Sequence, residues 1–307
     1  MKYSVVVPAF NEQEVLPLSY PRLKAVMDTL GDDYEIIFIN DGSRDDTLHI
    51  LKQMAAEDKH VKVLSFSRNF GHQEAVSAGM AASSGQAVVI IDCDLQDPPE
   101  VIPGMVERWK AGADIVYGQR TKRKGETAFK KLTAWLYYRI LRALGGQYIP
   151  ANTGDFRLID RKVCDTLNAM PEKNRFLRGM AAWSGFKAEP FEYVRDERAA
   201  GQTKYSIKKM LKLAGDGITS FSNKPLKFAM AMGVSVLILS CLYLITSIVL
   251  ASLAILSVMH VLFAVAFALI GCLFVSLGII GLYLGRIYDE AKGRPIYIVD
   301  EKINFTK

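Results

Sequence analysis

Residues 87–100 read AVVIIDCDLQDPPE, five small or β-branched apolar residues that stop abruptly at Asp92-Cys93-Asp94. An apolar run of that length, free of polar alternation, predicts a strand buried on both faces, as in a parallel sheet covered by helices. Four similar runs surround it: 3–7 (YSVVV), 34–39 (YEIIFI), 61–66 (VKVLSF) and 113–117 (ADIVY). Helix-compatible segments near 12–30, 45–58, 72–84 and 99–111 lie between them. Strand and helix in alternation predict an α/β fold with a mostly parallel sheet and crossover helices.

In such sheets ligands bind beyond the carboxyl ends of the strands. The polar motifs stand at those ends: Pro8-Ala9-Phe10-Asn11-Glu12, Asn40-Asp41-Gly42-Ser43, Ser67 to His72, Asp92 to Asp97, and Gly118-Gln119-Arg120. Asn11 with Glu14, and Ser43 with Asp46, have the spacing of helix caps. Pro17 and Pro21 predict a kink or a late start for the first helix. Neither a dinucleotide GxGxxG nor a P-loop follows the first strand, which argues against both folds. On a strand, alternation would turn Asp92 and Asp94 to one side and Cys93 to the other. Two carboxylates with Gln96 suit a hard divalent cation that shares its ligands with a diphosphate. Cys93 is expected to pack beneath that site. The four cysteines have no CxxC spacing, so neither a disulfide framework nor a zinc site is predicted.

The last quarter of the chain is different. Residues 228–285 contain no Asp, Glu, Lys or Arg. That is enough for two membrane spans, expected near 228–251 and 261–285 with a turn at 252–260. Lys224 and Lys227 before them, and Arg286, Lys292 and Arg294 after, predict both ends on the cytoplasmic side. The N-terminal MKYSVVVPAFNE does not read as a signal peptide, because its short apolar run is broken by Pro8. The expected organisation is a cytoplasmic domain at 1–225 and a hairpin with a short tail at 226–307, in the inner membrane. Small residues Gly271, Ser276, Gly278 and Gly281 permit close helix packing, and a homo-oligomer is expected.

The chain has 307 residues, a net charge of +6 and a mean hydropathy of +0.14. The positive charge is local. Residues 120–148 hold eight basic residues against one acidic, and 194–227 hold eight against three. Within these, 126–148 and 204–222 interleave apolar residues with Lys and Arg at helical spacing, the pattern of helices lying in a membrane interface. An anionic cytoplasmic leaflet attracts such segments. No reader motif for nucleic acid accompanies the charge, so nucleic acid is not an expected partner.

Taken together, VVVPAFNEQE (5–14), INDGSRDDT (39–47), RNFGHQEAVSAGM (68–80) and IDCDLQDPPE (91–100) resemble the family 2 glycosyltransferases of the GT-A fold. With the apolar hairpin and GLYLGRIYDEAKGRPIYIV (281–299), the resemblance extends to the polyprenyl-phosphate glycosyltransferases of the bactoprenol glucosyltransferase type. Dolichyl-phosphate mannose synthase and the aminoarabinose transferase for undecaprenyl phosphate are relatives. The resemblance implies that Pro8, Ala9, Asn11 and Glu12 cradle the nucleotide and that Asp41 contacts its base or ribose, although Asp-Gly-Ser is also good turn chemistry. It implies that Asp92 serves the nucleotide side, with Gln96 nearby, and Asp94 a Mg²⁺ or Mn²⁺ ion. Thr153 to Arg157 resembles the loop facing sugar and acceptor, with Asp155 in a positioning or weakly basic role. Arg120 resembles a phosphate-contacting arginine, and Arg198, Lys204 and Tyr205 a segment that closes over the phosphates. For His72, a role in the site and a cap on the following helix both stay open. The implied reaction moves a hexose from a nucleotide sugar, UDP-glucose foremost, to a polyprenyl phosphate with inversion. GDP-mannose or a UDP-aminoarabinose derivative is the alternative donor. An inactive membrane-anchored relative and a processive synthase are other readings, the latter disfavoured because no Q-x-x-R-W motif occurs.

Overall fold

The computed structural model describes residues 2–123, 153–195, 224–252 and 258–305. Eight strands form one sheet: β1 (Tyr3–Ala9), β2 (Tyr34–Asn40), β3 (Val61–Phe66), β4 (Ala87–Ile90), β5 (Ile115–Arg123), β6 (Thr153–Asp160), β7 (Ala188–Arg195) and β8 (Val299–Ile303). Their spatial order is β7-β5-β6-β4-β1-β2-β3-β8. The four apolar runs β1 to β4 pair in parallel at the centre, as their two-sided hydrophobicity requires. Val5, Val7, Ile36 and Phe38 pack on one face against α1 (Leu16–Asp28), α2 (Thr47–Glu57) and α4 (Ile102–Lys110). Val6, Ile37, Ile39 and Leu64 pack on the other against α3 (His72–Ala82), α5 (Arg161–Ala169) and α6 (Leu177–Trp183).

Two strands run antiparallel, and neither was expected from the sequence. β6, predicted as a loop, is inserted between β4 and β5 with Ile90 opposite Arg157. Extending that register sets Asp155 level with Asp92, so the insertion itself brings the two carboxylates to one edge. β8 pairs with β3, Val63 opposite Ile303 and Phe66 opposite Val299. Residues assigned from the sequence to a tail are therefore part of the sheet. Tyr297 stacks on Phe66 at 5.2 Å between centroids, and Lys52 meets Glu301 at 2.7 Å.

The fifth strand runs to Arg123 rather than ending at Tyr117, so Arg120 lies on a strand and not after one. α1 starts late, at Leu16, with Pro17 in its first turn and Pro21 inside it. The expected caps do not form: the residues at the helix starts are Val15 and Asp46, without side-chain capping bonds. Two long helices follow the domain, α7 (Lys224–Ser252) and α8 (Val258–Ala291), and they pack against each other. α8 starts earlier and ends later than the span predicted at 261–285. Within the described residues, Ala268–Ala291 is the segment long and apolar enough to cross a membrane. The stretches 126–148 and 204–222, and with them Arg198, Lys204 and Tyr205, lie outside the described residues.

Candidate active site

A cavity of about 630 Å³ opens at the carboxyl edge of β1, β2 and β4. Its floor is made by the loops after β1 and β2, which are stapled to each other. Asn11, at φ +52°, donates its N–H to Ser43 Oγ at 2.9 Å, and its Oδ1 accepts from the Arg44 amide at 2.8 Å. The Glu12 amide donates to Thr47 Oγ1 at 2.8 Å. Asn11 and Ser43 thus spend their side chains across the two loops, which is why they do not cap. Pro8, Ala9, Asn11 and Glu12 all line the cavity, as does Asp41.

Asp41 is buried and holds the next loop. Its carboxylate accepts from the Phe70 amide at 2.7 Å, the Gly71 amide at 3.1 Å and Asn69 Nδ2 at 2.8 Å. Burial pushes its carboxyl above the usual range despite those donors. Gly42, at φ +64°, lets this happen: a Cβ there would lie 2.3 Å from the Arg68 carbonyl carbon. Asp41 therefore performs the turn chemistry and faces the cavity at once.

The acidic side of the cavity gathers Asp92, Cys93, Asp94 and Asp155. β4 ends at Ile90, so Asp92-Cys93-Asp94 is a turn and the strand alternation expected of it does not apply. Cys93 also lines the cavity, yet it belongs to the core, and burial pushes its thiol well above the usual value, so it packs rather than ligates. Asp94 is buried and accepts from the Gln96 amide at 3.1 Å. The Gln96 side chain is not among those lining the cavity.

His72 is the first residue of α3, after the cap residue Gly71, and makes no capping bond. Its Nε2 lies 3.3 Å from Asp155 Oδ2 and 3.7 Å from Asp92 Oδ1. Burial opposes its charge, but the two carboxylates outweigh that and raise its pKa to about 9. Burial raises Asp92 to about 6, with Asp94, Asp155 and Asp97 adding to the rise against His72. Burial would raise Asp155 too, yet Arg178 and His72 hold it well below the usual carboxylate range. Arg178 Nη2 donates to Asp155 Oδ1 at 3.2 Å. Gln73 Nε2 reaches Asp155 Oδ2 at 3.4 Å, and Arg157 donates to the Gly154 and Asp155 carbonyls, with burial bringing it down to about 10. Arg178 was not foreseen. It stands on α6, 23 residues from Asp155, and no spacing rule links them.

Arg120 lies apart from the residues lining the cavity. It is tied to buried Asp97 at 3.2 Å and to the Tyr193 hydroxyl at 3.2 Å. Burial opposes its charge and Asp97 outweighs the penalty. The Tyr193 hydroxyl also donates to Asp97, and Arg195 Nε lies 3.3 Å from the same carboxylate. Gly154 makes room, since a Cβ there would meet Arg120 Nη2 at 2.4 Å. One carboxylate thus joins the turn after β4 to β5 and to the end of β7, where the chain leads toward Arg198.

Among the described residues no group of three His, Cys, Asp or Glu side chains forms a cage for a metal. A hard cation held by one or two carboxylates and completed by a diphosphate needs no such cage.

Residues 4–167 match the family described as Glycosyl transferase family 2. The chain is 51% identical to the "Uncharacterized glycosyltransferase YkcC" of Bacillus subtilis over 98% of its own length and 94% of that protein's. It is 41% identical to the bactoprenol glucosyl transferase of Shigella phage SfII, covering 97% of each. The crystal structure of glucosyl-3-phosphoglycerate synthase from Mycobacterium tuberculosis with Mn²⁺, UDP-glucose and phosphoglyceric acid superposes with a TM-score of 0.51 at 20% identity, over 71% of this chain and 77% of that one. The last is a likeness of fold and identifies the sheet as GT-A-like. Identity of this order over whole chains, with a family match across the domain that builds the cavity, means that the chain belongs to glycosyl transferase family 2 and is a glycosyltransferase.

Proposed function

We propose that the protein transfers glucose from UDP-glucose to a polyprenyl phosphate at the cytoplasmic face of the membrane, giving polyprenyl-phosphate glucose and UDP. The observation that carries this reading is the full-length identity of about 40% to proteins named bactoprenol glucosyl transferases. The cavity's size suits a nucleotide sugar, and its acidic wall supports binding of a cation beside a diphosphate.

The acceptor phosphate has a second pKa of about 6 and is largely ionised at neutral pH. One of its oxygens attacks the anomeric carbon, the bond to the β-phosphate breaks, and UDP carries away the electron pair. Asp155, paired with Arg178 and His72, is a poor base and serves to hold the imidazolium. Among the described residues lining the cavity, His72 is the basic side chain, set among Asp92, Asp94 and Asp155. Asp94 and Asp92 would hold Mg²⁺ or Mn²⁺, both carboxylates standing on the cavity wall. Such an ion supplies charge neutralisation of the leaving diphosphate. Arg198, Lys204 and Tyr205 are assigned to the phosphates; Arg120 acts through its junction with Asp97 rather than by direct contact, and Gln96 through its amide on Asp94.

The membrane reading gains support from topology. β1 to β7 precede α7 and α8, and β8 follows them in the same sheet. A sheet shared by both flanks of the helical pair supports keeping them on one side of a bilayer, with α7 as the return crossing to α8 in the proposed hairpin.

The test is a donor screen. Purified full-length protein is given undecaprenyl phosphate and UDP-glucose, UDP-galactose or GDP-mannose, and the lipid product is weighed by mass spectrometry. A hexosyl-phosphate lipid from UDP-glucose is expected. Transfer from GDP-mannose alone would reassign the donor, and donor binding without transfer would indicate an inactive relative.

A further inference from the structure

A second cavity, of about 410 Å³, lies on the far side of α3 from the active site. Ser77 and Ala81 of α3, Lys173 and Arg175 of the loop after α5, and Tyr297 before β8 line it. Ala81 is nine residues along α3 from His72, roughly 13 Å at the helical rise, so the two cavities are separate.

The Arg175 guanidinium is half-buried here. Its Nη2 donates to the Met170 carbonyl at 2.7 Å and its Nε to the Glu172 carbonyl at 3.3 Å. Among the described residues it forms no ion pair, unlike Arg120 and Arg178, although Glu172 and Glu74 stand near enough to offset part of the burial penalty on its charge. Glu172, Lys173 and Arg175 together leave the lining at +1. Carbonyl dipoles offset part of a guanidinium charge, and a partly buried cation of this kind favours an anion beside it.

The depth of the cavity is set by one hydrogen bond. The Lys173 amide donates to Glu290 Oε1 of α8 at 2.7 Å. Glu290 is one turn, about 6 Å, past Arg286, where the charge-free stretch ends. The polar layer on each side of a bilayer is about 5–7 Å deep. On the membrane reading, the part of the cavity lined by Lys173 therefore stands at headgroup level. Met170, Pro295 and Ile296 supply an apolar wall beside the charge, which suits a lipid glycerol and chain better than a free ion.

We propose that this cavity binds the phosphate of an anionic glycerophospholipid of the cytoplasmic leaflet, with Arg175 as its principal contact. The proposal rests on the membrane reading above, since an unanchored domain would meet no leaflet.

Full-length protein in detergent is titrated with phosphatidylglycerol or phosphatidylcholine and bound lipid is counted by native mass spectrometry. Phosphatidylglycerol is expected to bind in preference, and Arg175→Gln to weaken it about tenfold, the loss of one charge-assisted hydrogen bond. Because Arg175 also holds the end of α5, Ala81→Glu is the second variant. It sits on an exposed helix face, leaves the Arg175 carbonyl bonds intact and supplies a carboxylate at the cavity; a similar loss is expected. Equal binding of the two lipids by the wild type, or unchanged phosphatidylglycerol binding in Ala81→Glu, overturns the lipid site alone. So does full competition by inorganic phosphate, which would make the cavity a free-anion pocket. Recovery of the full chain in the soluble fraction without detergent overturns the membrane reading and this proposal together.

Discussion

His72 Nε2 stands 3.3 Å from Asp155 Oδ2 on β6 and 3.7 Å from Asp92 Oδ1 in the turn after β4. One imidazolium therefore bridges carboxylates from two segments that lie side by side only because β6 runs antiparallel to β4. Removing the ring leaves Asp92, Asp94 and Asp155 facing one another. His72→Ala is expected to lower turnover by about 10- to 100-fold, the scale of a lost charge-assisted bond, with His72→Lys recovering part of it. Initial rates of transfer to undecaprenyl phosphate measure this.

Asp155 is held well below the usual carboxylate range, first by Arg178 and then by His72, against the effect of burial. A carboxylate of that kind is ionised at every pH where the enzyme works and is a weak base. Asp155→Asn is expected to slow turnover through misplacement of His72 and Arg178, with a pH–rate profile parallel to that of the wild type. Recovery of Asp155→Asn at high pH would return Asp155 to the role of an essential base.

Chelation is expected to abolish transfer, and Mn²⁺ or Mg²⁺ to restore it. Asp94→Asn should raise the cation concentration required for half-maximal rate by about tenfold or more, as expected when one of few protein ligands is weakened. A cation titration at fixed UDP-glucose is the measurement; full activity in chelator would remove the metal from the reaction.

Asp58 predicts the acid limb of stability. Burial would raise its pKa, but the Tyr20 hydroxyl, the His60 amide and ring, and Lys24 bring it down to about 2 from 3.8. A depressed carboxyl contributes stability that is complete above its unfolded value and is lost as pH falls through its folded one. Between pH 4 and 2 the wild type should therefore lose about 2 kcal/mol that Asp58→Asn never had. Thermal melts in detergent across that range should converge for the two proteins at the acid end.

Asn304 fastens β8. Its Nδ2 donates to the Ala55 and Val61 carbonyls at 2.6 and 2.8 Å, and its backbone is at φ +61°. Asn304→Ala is expected to cost about 2–3 kcal/mol from lost bonds and backbone strain, and Asn304→Gly less, because glycine accepts the dihedral. Melting temperatures of the two variants should rank in that order.

These residues also mark where the sequence was readable. β1 to β4 were legible because each is apolar on both faces, which only a central parallel strand requires. β6 was not: TGDFRLID mixes charged and apolar residues, and its Asp155 and Arg157 are tolerated inside the sheet by pairing with Arg178 and with nearby carbonyls. β8 carries Asp300, Glu301 and Lys302, the charges of an edge strand, and reads locally as a polar tail. Position after the strands pointed to the loops that carry Pro8 to Glu12, Asp41 and Asp92 to Asp94, whereas Asp155 was reached only through the family resemblance. Arg178, and the crossing of Asn11 with Ser43, depend on contacts 23 and 32 residues apart that no local pattern encodes.

The place of β8 in the chain has a consequence in time. β3 is finished at Phe66 and its partner starts at Val299, so at about 5–20 residues per second the β3 edge waits roughly 10 to 50 seconds on the ribosome for its neighbour. On the proposed membrane reading, α7 and α8 leave for the bilayer in that interval, while an unpaired edge, Val61–Phe66, stands open to any other strand. On that reading, biogenesis is a race between helix insertion and edge pairing, and factors that delay insertion should show up as aggregation through the β3 edge.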